Sequence, residues 1–519
     1  MNRQQVKRIN EQRIREHDYK LIEWDRFDYS ILNNIMYRLP SGKRKDRKKY
    51  NEVIIMLDTE TSKLKPNEYD KKGKVIPVNN IIVCWSIAIR AFNRNIVTLY
   101  GRKPSDIPKC LHDIHFNMKG ERTFVFVHNL AYDWVFIRKF LMVDFGEPLN
   151  QLNTKPHYPL TIEFGNGIIL RDSLILAQRS LEKWGKDLEV QHAKATGYWD
   201  YEKIRTQETF LDLLELLYIQ NDVLCGVECI DTLMYQLKKN IISLPYTATG
   251  IPREQVRKRA QRANGHEKFL KICPDYETHK KLEKCYHGGF THGNRHFINT
   301  VIKDVRGFDF ASSYPYCMLS EKFPMDKFKP WKKNMKPEKV VSMSDKYAFI
   351  VHLIARRVIL KDDFVPMPPL QFSKCVRAVN PILDNGRILA ADLVEIWLTE
   401  IDLKVILDYY DFNGKSICID IEYSFKRYLP RWFTDYVYEC FINKTRLKGG
   451  DPVAYALSKS IINALYGMCV TKPVKQSIIE DYLTGNFEEE EEFDEETEYY
   501  KYKEKIRSVL PYQWGVWVT

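Results

Sequence analysis

Val53-Ile54-Ile55-Met56-Leu57-Asp58-Thr59-Glu60 is an apolar run that ends in two carboxylates. Its length and β-branched content predict a buried strand. At the period of two of an extended chain, Asp58 and Glu60 project from the same side. Outward from this stretch, β-branched and aromatic runs recur at residues 81–89, 96–100, 123–127 and 167–170. They alternate with helical patterns, above all over residues 209–239. That alternation predicts a compact α/β domain over residues 51–240.

Two more carboxylates follow, one at an element boundary and one inside a helical pattern. Asn129-Leu130-Ala131-Tyr132-Asp133 directly follows the strand-like residues 124–127, which places Asp133 where a strand gives way to a helix. Tyr218 and Asp222 lie at i and i+4 on one helical face. Four carboxylates with a tyrosine beside the last match what two-metal hydrolysis of a phosphodiester requires. The cations, Mg²⁺ or Mn²⁺, hold like charges together and activate water.

The order D-x-E, N-x-x-Y-D, Y-x-x-x-D resembles the three motifs of DEDDy-type proofreading exonucleases, whose fold is RNase H-like. That resemblance implies degradation of single-stranded DNA from its 3′ end. It assigns metal binding to Asp58, Glu60, Asp133 and Asp222, water orientation to Tyr218, and contact with the primer terminus to Asn129 and Tyr132. Ser180-Leu181, ahead of Trp184, reads either as a helix cap or as the single-strand contact of these enzymes. Lys194 reads either as a surface lysine or as their catalytic lysine.

A second constellation begins in the strand-like stretch Val305-Arg306-Gly307-Phe308-Asp309-Phe310-Ala311-Ser312-Ser313-Tyr314-Pro315. Asp309 is suited to hold a metal on a nucleoside triphosphate, and Tyr314 to lie under its sugar. Lys459, Asn463 and Tyr466, at i, i+4 and i+7, share one helix face that Gly467 is expected to close. The two segments resemble D-x-x-S-L-Y-P and K-x-x-x-N-S-x-Y-G of family B DNA polymerases, with Ser313 in place of Leu and Ala464 in place of Ser. Tyr286-x-Gly288-Gly289 resembles the family's Y-x-G-G linker. The segment from Leu398, LTEIDLKVILDYYD, resembles the first terminal-protein insertion of protein-primed polymerases of phages and linear plasmids.

This resemblance implies nucleotide binding by Ser312, Tyr314, Lys459, Asn463 and Tyr466, a catalytic metal on Asp309, and DNA contact by Tyr286, Gly288 and Gly289. The implied partners are single-stranded 3′ ends, primer-template DNA, deoxynucleoside triphosphates and a terminal protein. After Gly467 the sequence offers no Y-x-D-T-D carboxylate cluster. The expectation is therefore an incomplete palm, with a companion chain as a source of the missing carboxylates and thumb.

The expected fold class is a multidomain α/β protein, an RNase H-like 3′-5′ exonuclease domain followed by an incomplete family B palm and fingers with terminal-protein insertions. Its parts are a basic arm (1–50), the exonuclease (51–240), a connector (241–285), the palm start (286–335), the first insertion (336–430), palm and fingers (431–470), and a truncated second insertion (471–519). The closing PYQWGVWVT is expected to be a strand.

Composition fits a polyanionic partner and an ordinary solvated basic surface equally well. Among 519 residues, 80 Lys and Arg face 68 Asp and Glu, a net charge of +12. Residues 488–519 are net acidic, which leaves +18 on residues 1–487. The acidic stretch 488–498 reads as a solvated loop or hairpin tip without chemistry. The eleven scattered cysteines form no C-x-x-C pair and suit a reducing compartment. The longest apolar stretch, 81–89, is too short to span a bilayer, and the charged N-terminus lacks the apolar core of a signal peptide. A phage- or plasmid-encoded chain in host cytoplasm is the expectation. Two other readings remain at this stage, an autonomous exonuclease with a remnant polymerase half and a non-catalytic module that binds DNA or terminal protein.

Overall fold

The computed structural model describes residues 21–40, 47–65, 68–69, 75–76, 79–155, 157–472, 478–480, 487–489, 495–505 and 510–519. The chain divides into two units. One holds residues 1–250, 447–457 and 476–490, and the other holds residues 251–446, 458–475 and 491–519.

The first unit is built on an eight-stranded mixed sheet of strands β1 (Leu21–Glu23), β2 (Ile54–Lys63), β3 (Asn80–Ala91), β4 (Arg94–Gly101), β5 (Thr123–Val127), β6 (Asn150–Asn153), β7 (Pro159–Glu163) and β8 (Ile168–Asp172). Their spatial order is β1-β4-β3-β2-β5-β8-β7-β6. Strand β2 lies mid-sheet, antiparallel to β3 and parallel to β5. Both its faces are covered. Ile55 and Leu57 pack with α1 (Ile107–Phe116) and α2 (Leu130–Phe145), whereas Ile54 and Met56 pack with the α4 helix, Leu213–Leu237. Two-sided burial is why the run is continuously apolar rather than alternating. A short α3 (Leu181–Asp187) packs against α4, whose start is fixed by a capping box between Asp212 and Glu215.

The basic segment expected as an appended arm joins this sheet. β1 pairs in parallel with β4, Leu32 and Ile35 are buried, and Trp24, Phe27 and Tyr29 pack against the same core. These apolar side chains are spaced too irregularly among charges to announce a strand. Lys43, Arg44 and Lys45 lie outside the described residues.

In the second unit, helices α5 (Gly250–Arg262), α6 (Tyr276–Cys285) and α7 (Ser313–Ser320) precede a long antiparallel sheet. Its main strands are β9 (Lys322–Pro324), β10 (Tyr347–Leu360), β11 (Cys375–Val379), β12 (Arg387–Thr399) and β13 (Ser416–Tyr428), in the order β9-β13-β10-β12-β11. The α8 helix, Glu400–Tyr409, starts at a capping box between Thr399 and Asp402. Helices α9 (Arg431–Leu447) and α10 (Pro452–Cys469) are separated at Gly449, whose φ is +84°. Gly467 does not close α10, which runs on to Cys469.

Three further expectations differ from the structure. Residues 305–310 form no strand, and Val305, Phe308 and Phe310 are exposed. β propensity is realised only against a neighbouring strand, and among the described residues none pairs here. The acidic stretch is in part regular, with a hairpin of Ile478–Glu480 and Phe487–Glu489 followed by the helix α11, Glu495–Lys505; residues 490–494 lie outside the described residues. The closing segment is a buried helix, α12 (Gln513–Val518), not a strand. Trp514 and Trp517 enter a core with Phe269, Phe328 and Phe433. A short, largely apolar run fits a buried strand or a buried helix equally, and packing decides. No helix among the described residues is long and apolar enough to cross a membrane.

Gly167, in the turn between β7 and β8, has a φ of +92°, and a Cβ placed there would lie 1.9 Å from the Glu121 carbonyl oxygen. Gly167→Ala is expected to destabilise the first unit by about 2–4 kcal/mol, from strain plus overlap with backbone. Denaturant unfolding followed by circular dichroism measures it. An unchanged midpoint would contradict this tight turn.

Candidate active site

Parity along β2 sorts the side chains. Even-numbered Asp58 and Glu60 share the face of Ile54 and Met56, toward α4, and α4 presents Asp222 one turn after Tyr218. Gly226 of α4 faces Met56 closely, since a Cβ there would lie 2.7 Å from the Met56 side chain. Carboxylate oxygens of Asp58, Glu60 and Asp222 lie within 4.8 Å of one another. Among the described residues this is the only group of three or more metal-ligating side chains so arranged.

The fourth carboxylate stands apart from that group. Asp133 is buried in the first turn of α2, where the Thr59 hydroxyl donates to its Oδ1 at 2.5 Å. Odd-numbered Thr59 serves the α2 side of β2. Asn129 takes a left-handed φ of 80° at the turn from β5 into α2. Tyr132 is partly exposed, and its hydroxyl shares a hydrogen bond of 2.5 Å with Thr61.

Lys194 meets the cluster from an irregular segment. Its Nζ donates to Asp222 Oδ2 at 2.6 Å and lies 5.2 Å from the Tyr218 ring centre. Asp222 Oδ1 is buried without a hydrogen-bond partner. Three converging carboxylates, one with a bare oxygen, fit a divalent cation bound through oxygen. The Tyr218 hydroxyl pairs with that of Tyr201 at 2.9 Å, and Trp199 packs against the Tyr218 ring.

The charges explain the protonation states. Two ionised carboxylates about 5 Å apart repel by about 3–4 kcal/mol at an effective dielectric of ~20. Burial and the Asp222 charge push Asp58 up to about 7, with Lys194 opposing. Burial and the neighbouring carboxylates drive Glu60 well above the usual range, and burial and Asp58 do the same to Asp133. Asp222 is raised by burial, with Lys194 opposing. Burial works against the Lys194 ammonium, but Asp222, Asp58 and Glu60 outweigh it and hold the ammonium charged. Tyr218 is raised by burial and by Glu60 and remains a phenol.

Of the other positions read from sequence, Ser180 caps α3 by accepting from the Lys183 amide, and Leu181 is buried in the core. In the second unit Asp309 lies exposed in the unpaired segment. Lys459 and Asn463 are exposed on α10, and Tyr466 is half-buried beside them. Tyr314 stacks on Tyr466 with ring centres 4.4 Å apart, and the Tyr466 hydroxyl bonds that of Tyr286 at 2.7 Å. A Cβ on Gly289 would sit 3.4 Å from the Tyr314 hydroxyl, whereas Gly288 faces open space. Ser312 has a φ of 58° and accepts from Lys444 Nζ at 2.6 Å. Thr59, Tyr201 and Lys444 were not singled out by sequence. Thr59 lies inside the D-x-E motif, but Lys444 is one of several basic residues at the end of α9 and carried no signal.

A mid-sheet strand carrying acidic residues to a crossing helix is thus followed by a second unit in which α10 presents Lys459, Asn463 and Tyr466. The family model described as DNA polymerase type B, organellar and viral, matches residues 198–512, and the chain belongs to that family. It is 25% identical over 371 residues to the DNA polymerase of Bacillus phage Nf, an alignment covering 67% of this chain and 59% of that one. The DNA polymerase of Bacillus phage B103 is 25% identical over 376 residues, with the same shares. The chain thus spans about 59% of the length of these curated relatives. An orthorhombic crystal structure of phi29 DNA polymerase matches with a TM-score of 0.63 at 18% identity, over 90% of this chain and 75% of that one. Its complex with primer-template DNA matches with 0.61 at 19% identity, over 82% and 69%. The α/β multidomain fold and the likeness to phage family B polymerases read from the motifs are borne out.

Because the Asp58 carboxyl is raised in the folded chain, its favourable contribution is complete below the unfolded value near 4 and is lost as pH rises through about 7. Without divalent cations, Asp58→Asn is therefore expected to stabilise the chain by about 1–3 kcal/mol at pH 8 and to leave it nearly unchanged at pH 4. With millimolar Mg²⁺ the gain at pH 8 should vanish or reverse. Thermal unfolding across pH, with and without Mg²⁺, reads both effects.

Proposed function

We propose that the first unit is a 3′-5′ exonuclease acting on single-stranded DNA with Mg²⁺ or Mn²⁺, within a protein-primed DNA polymerase that replicates a phage or plasmid genome. The observation that carries this reading is the trio of half-buried Asp58 with buried Glu60 and Asp222, and its bare Asp222 oxygen. These three would hold the cation, with Asp133 behind them through Thr59. A bound cation supplies positive charge to the scissile phosphate and makes its water acidic. The chain's own groups do the rest. Tyr218, kept protonated, offers a hydrogen bond that orients water, and Tyr201 fixes the direction of that hydroxyl. The Lys194 ammonium offsets charge that develops on phosphate oxygens. Asn129, Tyr132 and Thr61 line the approach and hold the terminal nucleotides.

The second unit supplies the nucleotide side of the reaction. Lys459 is assigned to the triphosphate, Asn463 to a base edge, and Tyr314, stacked on Tyr466, to the sugar. Asp309 is the metal ligand of the palm, with Ser312 and Lys444 beside it, and Tyr286, Gly288 and Gly289 contact DNA. The sheet and α8 within residues 336–430 receive the terminal protein. Neighbours of this fold include phi29 polymerase with single-stranded DNA and with primer-template and nucleotides, which supports the same partners here. Synthesis needs carboxylates in addition to Asp309, whether they belong to the same polypeptide or to a companion chain.

Asp58→Ala with Glu60→Ala should lower single-strand digestion by at least about 10³-fold while leaving the circular dichroism spectrum unchanged. Chelation of divalent cations should do the same to the unaltered chain. Digestion at the native rate by the double variant would rule the site out. In an assembly competent for synthesis, Tyr314→Val should raise ribonucleotide incorporation relative to deoxyribonucleotide by at least about tenfold, since the ring no longer excludes a 2′-hydroxyl. A primer-extension assay with both nucleotide types measures that ratio.

A further inference from the structure

Lys194 reaches the acidic trio from residues 188–200, a stretch with neither helix nor strand. Two anchors bracket it. Before it, the His192 amide donates to Glu228 Oε2 at 2.9 Å, and His192 Nδ1 bonds Glu228 Oε1 at 2.6 Å. Both side chains are more than nine-tenths buried. After it, Ala195 is buried in a cluster with Val83, Cys84 and Ile219.

Glu228 lies on α4, six residues beyond Asp222, and does not belong to the metal-ligating trio. It is itself held from the sheet. Asn95 Nδ2 of β4 donates to its Oε1 at 2.9 Å, Asn95 Oδ1 accepts from Arg90 at 2.9 Å, and Arg90 pairs with Asp231 at 2.6 Å. Burial opposes the charge on Glu228, but the donors from His192 and Asn95 outweigh it and keep the carboxylate ionised.

We propose that Glu228, gripping His192 through both carboxylate oxygens, positions Lys194 on Asp222. The helix that carries Asp222 thereby also sets the place of the ammonium that acts beside it. Two residues of chain reach about 7 Å at most, so fixing residue 192 limits where Lys194 can begin. This inference rests on the exonuclease reading and names a residue that acts on it through another.

The test is a double-variant cycle on the full 519-residue chain, with single-stranded DNA and Mg²⁺. Glu228→Ala should lower kcat by about ten- to a hundredfold, the scale of a misplaced group, and leave KM within about twofold. Added to Lys194→Ala, it should change kcat by less than about twofold, because the group it positions is already gone. Glu228→Gln keeps an acceptor for the His192 amide and should recover most of the loss. A second readout needs no turnover. Amine-reactive labelling followed by mass spectrometry should modify Lys194 several-fold faster in Glu228→Ala than in the unaltered chain, with Glu228→Gln close to the unaltered chain and Lys203 as the internal reference. Native turnover by Glu228→Ala, a full multiplicative loss on top of Lys194→Ala, or unchanged labelling of Lys194 would each overturn the proposal. An unaltered chain without nuclease activity would instead overturn the exonuclease reading, and labelling would still decide the role of Glu228.

Discussion

Mutual repulsion among buried carboxylates is the constraint around which the first unit is arranged. Glu60 and Asp222 are buried and Asp58 half-buried, and burial together with the neighbouring charges raises all three carboxyls. Position is set by rigid parts, a strand held on both sides and a 25-residue helix with a capping box. Close approach of the two depends on Gly226, where a side chain would meet Met56. One counter-charge is built in, the Lys194 ammonium. A single cation against several carboxylates leaves a deficit, and a divalent ion is the natural species to remove it.

Much of this was legible from residue order. The period of two in an extended chain placed Asp58 and Glu60 together, and the helical spacing placed Tyr218 beside Asp222. The Thr59 contact of Asp133 was not legible. Its motif spacing says only that a strand ends nearby, whereas its contact depends on which face of β2 it meets, and Thr59 decides that. Ser180 was legible as a helix cap, which the Lys183 amide fills in the structure.

The second unit shows where local pattern falls short. Val305 to Phe310 has the composition of a strand, yet a strand is a relation between segments and not a property of one. PYQWGVWVT departs likewise, since it resembled the strand that leaves the family's second insertion but the core of Phe269, Phe328 and Phe433 accepts it as a helix. Tyr314, Tyr466 and Tyr286 come from three distant segments and meet through one stack and one hydroxyl pair. The i, i+4, i+7 pattern located Tyr466, and nothing short of the fold could have joined it to Tyr286.

The unpaired segment also governs how the polypeptide behaves in solution. Val301, Val305, Phe308 and Phe310 are each more than 70% exposed, on backbone whose amides and carbonyls stand open to any extended chain. Exposed apolar segments of this kind favour self-association in general, because edge-to-edge pairing satisfies the backbone and hides the phenyl rings in one step. Colloidal stability is therefore tied to whatever lies along residues 301–310. A native neighbour along residues 301–310, or a charged residue placed among the apolar side chains, would shield that ribbon.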